Sequence, residues 1–206
     1  AERVIIAVPP KEAARLLAPL DPQLGALYSA IPMAPIVSIT LGWPREQVPH
    51  PLDGFGFLVP RIERLRDGPR LLGALFSTSA LPDFEQAPRG QVVVRAMYGG
   101  VHDPEIVRMD DGELLEQVRR DLRAALGIWT EPRFIHIQRW TDAIEQYVRG
   151  HAERVADIEA RLQNLGGITA VGAALHGVSV PDVLAFGHKV GTQLATQLPI
   201  RGRGQL

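Results

Sequence analysis

Gly172-Ala-Ala-Leu-His-Gly177-Val-Ser-Val-Pro181-Asp182 forms a glycine-punctuated turn between an apolar run and a helix-like run that ends near Leu198. The apolar run predicts a strand over Ile168–Ala174, and Pro181 suits the start of a helix because its missing N–H would have no partner there. Free N–H groups of a first helical turn attract an anion or an electron-rich carbonyl. Glycines at 172 and 177 let a large planar or phosphorylated ligand approach the main chain. Such a turn is also ordinary architecture, so by itself it does not establish a cofactor site.

Two helices and a series of strands precede this turn. Arg3–Val8 predicts a buried strand, and Lys11–Leu20 has the spacing of an amphipathic helix. Asp21-Pro22 signals a second helix that runs to about residue 30. The pattern then changes to short strands separated by turn residues, at Ile36–Leu41, Gly54–Val59, Leu71–Thr78 and Val92–Tyr98. Strands in quick succession without intervening helices indicate an antiparallel sheet.

Longer helices and strands alternate in the second half of the chain. Gly112–Leu126 carries leucine and valine at helical spacing, and Phe134–Trp140 predicts a strand. Ala143–Leu165 predicts a long helix that is broken near Gly150, since glycine costs about 1 kcal/mol in a helix interior. A helix over 181–198 closes the chain. We therefore predict an α+β fold with a mixed, largely antiparallel sheet and flanking helices.

The composition excludes several classes of protein. The chain has 206 residues, of which 46% are hydrophobic, so it can bury a core. A formal net charge of −1 gives no reason to expect nucleic-acid binding, and the absence of cysteine excludes disulfides and thiolate metal sites. Six histidines show no metal-ligand spacing, so we assign neither a metal nor a catalytic side chain. No apolar run approaches the ~20 residues of a transmembrane helix.

Two further motifs accompany the turn. One is Arg139-Trp140-Thr-Asp-Ala-Ile144-Glu-Gln146-Tyr147-Val-Arg-Gly150-His151. The other is Pro51-Leu-Asp-Gly54-Phe-Gly56-Phe-Leu58-Val-Pro60, continued by Leu72-Gly73-Ala-Leu75-Phe76-Ser77-Thr-Ser79. In this order and spacing, the three resemble the C-terminal half of the flavin-dependent protoporphyrinogen/coproporphyrinogen oxidases of the flavin-containing amine oxidase superfamily. The resemblance runs from about Arg3 to about Leu198, and Glu145 departs from it where the family commonly has proline.

The resemblance implies a division of the chain. Residues 1–30 would be a returning strand and helices at the boundary of the FAD domain, and residues 31–165 the substrate-binding domain of an FAD-linked oxidoreductase. Residues 166–198 would be a C-terminal strand–helix segment of a Rossmann-like FAD domain, and residues 199–206 a tail.

The fingerprint that binds the FAD pyrophosphate in such enzymes is missing. That fingerprint is G-x-G-x-x-G at a strand–helix turn, and the only comparable glycines, Gly202 and Gly204, lie in the tail. We therefore expect this chain to be the C-terminal portion of a longer enzyme whose N-terminal FAD-binding portion is its partner. Alone, the chain is expected to retain no FAD, to be inactive, and to form a homo-oligomer through uncovered strands.

Site residues also follow from the resemblance. Trp140, Gly172, Val178, Ser179 and Val180 are expected to contact the flavin. The tetrapyrrole is expected to lie between apolar walls, because a large planar ligand needs broad apolar contacts, with Leu58, Leu75 and Met97 supplying them. From the residues alone, Trp140 could equally cap the sheet core, and the three apolar residues could be ordinary core residues.

The activity implied for the full-length enzyme is the FAD-dependent dehydrogenation of a porphyrinogen to the porphyrin in haem biosynthesis. The sequence leaves open whether the substrate is protoporphyrinogen IX or coproporphyrinogen III, and which acceptor reoxidises the flavin. Two alternatives stay open: another enzyme of the superfamily, such as an amine oxidase or a carotenoid desaturase-like enzyme, and a non-catalytic binding or assembly module. A cytoplasmic location is expected, with membrane association of the full-length enzyme left open.

Overall fold

The structure is a computed structural model and describes residues 2–64, 68–81 and 85–197. The chain divides into two compact units, which we number 1 and 2. Unit 1 combines residues 1–33 with residues 145–206, and unit 2 is the continuous segment Ala34–Ile144. The predicted tail at 199–206, with Gly202 and Gly204, lies outside the described residues, as does Leu198 at the expected end of the last helix.

The described residues form seven strands and eight α-helices. The strands are β1 (Val4–Ile6), β2 (Met33–Pro44), β3 (Gly56–Leu58), β4 (Gly73–Phe76), β5 (Gln91–Gly99), β6 (Phe134–Glu145) and β7 (Ile168–Ala170). The helices are α1 (Pro10–Leu17), α2 (Pro22–Ser29), α3 (Arg61–Arg64), α4 (Ser77–Ala80), α5 (Asp111–Leu126), α6 (His151–Leu165), α7 (Ala173–His176) and α8 (Val180–Gln197). Short 3₁₀ helices cover Arg45–Gln47 and Pro104–Arg108.

Unit 1 packs helices α1, α2 and α6 around a small apolar core that includes Leu17, Leu24, Ile158 and Leu162. The predicted N-cap of α2 is confirmed, because the Asp21 carboxylate accepts hydrogen bonds from the N–H groups of Gln23 and Leu24. The same carboxylate pairs with Arg161 of α6 at 2.8 Å. Asp21 therefore both caps the N-terminus of α2 and links this helix to α6 by an ion pair.

The first strand is more exposed than the sequence predicts. β1 pairs in parallel with β7, with Val4 opposite Ile168, and the two strands form a sheet of their own. The side chains of Val4 and Ile5 are 41% and 49% exposed, so the expectation of a buried strand is wrong for this chain. The described residues leave the faces of this two-stranded sheet largely uncovered at Val4 and Ile5, which explains the exposure of these side chains.

The predicted helix over Ala143–Leu165 is wrong in its first part. Strand β6 continues to Glu145, and α6 begins only after Gly150, whose φ is 84°. That conformation is accessible to glycine at little cost and interrupts a right-handed helix. Because β6 lies beside the equally long β2, sheet pairing overrides the helical propensity of residues 143–145.

Unit 2 is a five-stranded sheet in the order β3-β4-β5-β2-β6. The pairs β3–β4, β4–β5 and β5–β2 are antiparallel, which confirms the predicted α+β class with a largely antiparallel sheet. Helix α5 packs against one face of this sheet and buries Leu114, Val118 and Leu122. The strand side chains facing it form the core, among them Ile39, Leu41, Val94, Ala96 and Tyr98.

The chain leaves unit 1 and returns to it at neighbouring points. The backbone N–H of Gln146 donates a hydrogen bond of 2.9 Å to the carbonyl of Pro32. These two residues stand just before and just after the segment that forms unit 2.

Candidate functional site

The sheet of unit 2 has a second face, which α5 does not cover, and we call it the open face. Strand side chains alternate between the two faces. In β5, Val94, Ala96 and Tyr98 are buried toward α5, so the residues between them point to the open face. The residues of β3, β4, β5 and β2 that reach the open face by this alternation are Gly56, Leu58, Gly73, Leu75, Val93, Arg95, Met97, Ser38 and Thr40.

The three predicted substrate-wall residues all lie on the open face. Leu58 pairs across the strands with Gly73, and Gly73 pairs with Met97, so these residues form one row. Leu75 stands two residues beyond Gly73 on the same strand and therefore on the same face. The alternative that the three are ordinary core residues is wrong, since none belongs to the buried core and Leu58 is 81% exposed.

Glycine at position 73 shapes this surface. A Cβ at Gly73 would lie 2.9 Å from the Cδ2 atom of Leu58 and 2.4 Å from the carbonyl oxygen of Phe57. The Leu58 side chain therefore occupies the space that any other residue at 73 would fill. The row therefore places the apolar side chains of Leu58 and Met97 on either side of Gly73, which suits a broad apolar ligand.

Trp140 also belongs to the open face. On β6, Ile137 packs against the core, and Arg139 reaches α5, where it pairs with Asp111 at 2.7 Å. Alternation then directs Trp140 to the opposite side, and its side chain is 54% exposed. The alternative that Trp140 caps the sheet core is wrong, and its predicted contact with the flavin stays a prediction.

A buried carboxyl supports the sheet from the helix side. Asp121 of α5 accepts hydrogen bonds from the Leu71 N–H at 3.1 Å, the Tyr98 hydroxyl at 3.1 Å and the Gln117 side-chain amide at 3.0 Å. Burial raises the pKa of Asp121 above its usual value, although these three donors oppose the shift. Burial and the nearby carboxyl hold the pKa of Tyr98 well above its usual value, so its hydroxyl stays protonated and donates.

Sequence reasoning missed this network, although the sequence carried a signal for it. An aspartate at 121 lies among the apolar positions of an amphipathic helix, where a polar residue needs buried partners.

The glycine turn that carries most of the predicted flavin contacts lies in unit 1. It follows β7, contains α7 and ends at the start of α8. Gly172 and Gly177 have φ values of 139° and 112°, which residues with a Cβ rarely adopt. A Cβ at Gly172 would meet no atom within 4 Å, whereas one at Gly177 would lie 2.7 Å from the Asp182 Cβ. Gly172 therefore leaves its backbone open to a ligand, and Gly177 permits close packing against α8.

Tyr147 connects two parts of this turn by hydrogen bonds. Its hydroxyl donates a hydrogen bond to the carbonyl of Ala173 and accepts one of 2.9 Å from the N–H of Gly177. Its ring stacks on His151, with ring centres 4.0 Å apart. Burial lowers the pKa of His151, which favours the neutral imidazole in this stack. The tyrosine of the predicted motif thus bridges both sides of the turn.

Ser179 caps the helix that follows. Its hydroxyl accepts a hydrogen bond of 3.2 Å from the Asp182 N–H and donates one to the Asp182 carboxylate. Within the described ranges, Leu52 is the only residue other than glycine with a positive φ, so the Cβ of Ser179 causes no backbone strain. Val178 and Val180 are 53% and 73% exposed. An open Gly172 backbone and exposed residues 178–180 fit a flat ligand laid against the turn.

The structure thus gathers the predicted residues into two groups. Leu58, Leu75, Met97 and Trp140 share the open face of unit 2. Gly172 and residues 178–180 share the turn of unit 1.

Neither a metal site nor a membrane-spanning helix emerges from the described residues. No three side chains among their histidines, aspartates and glutamates lie close enough together to hold a metal ion. No helix in residues 2–64, 68–81 or 85–197 has both the length and the apolar character needed to cross a membrane.

Comparison with known families matches nearly the whole chain to one of them. The family model for flavin containing amine oxidoreductase matches residues 1–193. Among curated relatives, coproporphyrinogen III oxidase of Bacillus subtilis (strain 168) is 28% identical over 199 residues, covering 96% of this chain and 41% of that protein. Coproporphyrinogen III oxidase of Propionibacterium freudenreichii is 31% identical over 186 residues, covering 90% of this chain and 34% of that protein. The chain thus spans well under half the length of these relatives.

Solved structures share the fold. A crystal structure of a protein from Exiguobacterium sp. 255-15 matches with a TM-score of 0.77 at 23% identity, covering 96% of this chain and 42% of that one. Cyclohexylamine oxidase from Brevibacterium oxydans IH-35A matches with a TM-score of 0.64 at 15% identity, covering 95% of this chain and 42% of that one. At these identities the likeness is one of fold alone.

Proposed function

Because this chain belongs to the flavin containing amine oxidoreductase family, we propose that it is the C-terminal part of an FAD-dependent oxidase that dehydrogenates a porphyrinogen to the porphyrin. The substrate is protoporphyrinogen IX or coproporphyrinogen III, since the names of the curated relatives specify protoporphyrinogen and coproporphyrinogen III. When bound, FAD supplies the hydride acceptor, so the chain itself has only to bind and orient the reactants. A cytoplasmic location of the full-length enzyme stays a prediction.

The open face of unit 2 carries this proposal. Leu58, Leu75 and Met97 lie on this one face, with Gly73 between Leu58 and Met97. A porphyrinogen is a large macrocycle with an apolar body and charged side chains at its rim. Burying the apolar body against such a surface favours binding by about 25 cal/mol per Å² of apolar area removed from water.

The turn of unit 1 is the part assigned to the flavin. A Cβ at Gly172 would meet no atom within 4 Å, and Val178, Ser179 and Val180 are exposed beside the first turn of α8. Backbone N–H groups at a helix start stabilise electron-rich groups that approach them. Tyr147 and Ser179 hold this backbone in place, so little ordering remains to be done when the ligand binds.

Single-turnover reduction of the full-length enzyme tests the proposed activity. Bleaching of the oxidised flavin spectrum is followed after anaerobic mixing with protoporphyrinogen IX, coproporphyrinogen III or a primary amine. Rapid bleaching by a porphyrinogen with release of the fluorescent porphyrin is expected. Bleaching by the amine alone would assign the chain to the amine oxidases instead.

A charge placed at position 58 tests the substrate wall. We expect Leu58→Arg in the full-length enzyme to raise KM for the porphyrinogen about tenfold or more. The row of Leu58, Gly73 and Met97 is proposed to face the apolar body of the macrocycle, where an arginine has no carboxylate to pair with and has to lose water. Flavin content should stay unchanged, since Leu58 is 81% exposed and an arginine there disturbs no core. Val101→Arg is the matched control, because Val101 is 53% exposed in the turn after β5. Equal KM values for the two variants would show that Leu58 does not line the substrate site.

A further inference from the structure

One basic side chain shares the open face with the proposed substrate wall. Arg95 lies in the middle of β5, directly opposite Leu75 on β4 and Thr40 on β2. Met97 is two residues further along the same strand and points the same way. The Arg95 guanidinium is therefore carried by the surface on which the macrocycle is proposed to lie.

Among the residues that the structure describes, Arg95 has no anionic partner. Several arginines of unit 2 are paired: Arg70 with Asp103 at 2.6 Å, Arg119 with Glu131 at 2.6 Å and Arg139 with Asp111 at 2.7 Å. No hydrogen bond or ion pair joins the Arg95 side chain to any residue in the described part of the chain. The two strands that flank it, β4 and β2, carry no acidic residue.

This placement favours a carboxylate ligand. A guanidinium binds a carboxylate through two parallel N–H donors, and such charge-assisted hydrogen bonds are about twice as strong as neutral ones. Apolar residues beside the guanidinium strengthen the contact, because a ligand that covers them removes water from it. A porphyrinogen has both features that this surface can bind. Its apolar body can lie on the apolar side chains, and a carboxylate at its rim can pair with the guanidinium.

We propose that Arg95 binds a rim carboxylate of the porphyrinogen and thereby favours substrates that carry more carboxylates. The proposal rests on the porphyrinogen oxidase function proposed above. Coproporphyrinogen III has a carboxylate side chain on every ring and presents one to Arg95 in any orientation. Protoporphyrinogen IX has carboxylates on only some of its rings and presents one in fewer orientations. Arg95 thus bears on which of the two substrates the enzyme prefers.

Porphyrin binding with and without free carboxylates tests this role. The full-length, flavin-loaded protein is titrated in one detergent buffer with coproporphyrin III and with its methyl ester, in which the carboxylates are masked. We expect Arg95→Gln to weaken binding of the acid about tenfold and to leave binding of the ester unchanged, since one charge-assisted pair is lost. Arg95→Lys should recover part of the loss, because it keeps the charge but not the paired geometry. Arg89→Gln, an exposed arginine in the turn before β5, is the matched control and should bind both compounds like the wild type.

Steady-state kinetics of the same variants separate this proposal from the proposed activity. If the enzyme oxidises porphyrinogens and Arg95→Gln changes neither porphyrin binding nor KM, the role of Arg95 is wrong while the activity stands. If no porphyrinogen is oxidised and Arg95→Gln still weakens the acid selectively, the carboxylate site stands and the activity is wrong. Equal weakening of acid and ester would identify Arg95 as a structural residue and overturn the proposal.

Discussion

At the scale of single residues, Asp121 makes the stability of unit 2 depend on pH. Burial raises its pKa above 3.8, so the folded protein holds the proton more tightly than the unfolded chain does. The stability from this group is fully present below pH 3.8 and is lost as the pH rises through the folded pKa. We therefore expect the free energy of unfolding of Asp121→Asn to rise relative to that of the wild type as the pH increases from 3.8 toward neutral, because the mutant has no carboxyl group to lose its proton.

Urea unfolding of the full-length protein and of Asp121→Asn, across that pH range, measures the difference. Subtracting the two curves cancels the contributions of the other titrating groups to the free energy of unfolding. One of them is Asp21, whose pKa is lowered by the hydrogen bond from Arg161 and whose contribution changes with pH in the opposite direction. Asp53→Asn is the control, because Asp53 is exposed in the loop before β3. A difference that does not change with pH would show that Asp121 acts only through its hydrogen bonds.

The family resemblance predicted more of the substrate face than of the hydrogen-bond network beneath it. Alternation in residues 92–98 already separates Met97 and Arg95 from the buried side chains. Which of the two faces α5 covers depends on long-range packing, so the sequence left Leu58, Leu75 and Met97 undecided between core and wall. The hydrogen bonds of Asp121 join residues 50 and 23 positions apart, and no local pattern reports such contacts.

At the scale of elements, the turn between β7 and α8 depends on Tyr147. We expect Tyr147→Phe to lower the free energy of unfolding by about 1–2 kcal/mol, because two hydrogen bonds are lost while the ring still stacks on His151. A looser turn should also weaken FAD binding several-fold in the full-length protein. Fluorescence titration of the apoprotein with FAD measures the second effect.

Tyr28→Phe is the matched control for this variant. The Tyr28 hydroxyl is buried in unit 1 and has no hydrogen-bond partner among residues 2–64, 68–81 and 85–197. Its removal should therefore leave stability unchanged or raise it, and FAD affinity should not change. Equal FAD affinity in both variants would show that the hydroxyl of Tyr147 does not position the turn.

Element positions were largely predictable, and the misses have physical causes. Caps and periodicity located α2, α5 and the central strands, because these signals are local. The sequence could not show that β6 extends to Glu145, since that depends on pairing with β2. The sequence also did not reveal the two hydrogen bonds of the Tyr147 hydroxyl, because they form only when the chain after β7 folds back onto Tyr147.

At the scale of the whole molecule, the isolated 206-residue chain is expected to retain no FAD. It lacks the dinucleotide fingerprint that supplies the pyrophosphate contacts, and it spans 41% of the Bacillus relative. Val4, Ile5, Val180 and Leu184 are exposed in unit 1, so we also expect self-association at micromolar concentration. Gel filtration with light scattering and a visible absorption spectrum measures both properties, with the full-length protein as control. A flavin-loaded monomer would contradict both expectations.

The hydrogen bond between Gln146 and Pro32 has a consequence for how the protein is made. On the ribosome, residues 34–144 are complete before α6 and β7 have been synthesised, so unit 2 can fold first. Until β7 is made, β1 lacks the partner strand that it has in this structure. The loop that β1 and β7 must close is long, and a folded insert whose two ends meet makes it effectively shorter. An insert with adjoining ends can also be exchanged as a cassette, and evolution could thereby fit one scaffold to unlike substrates.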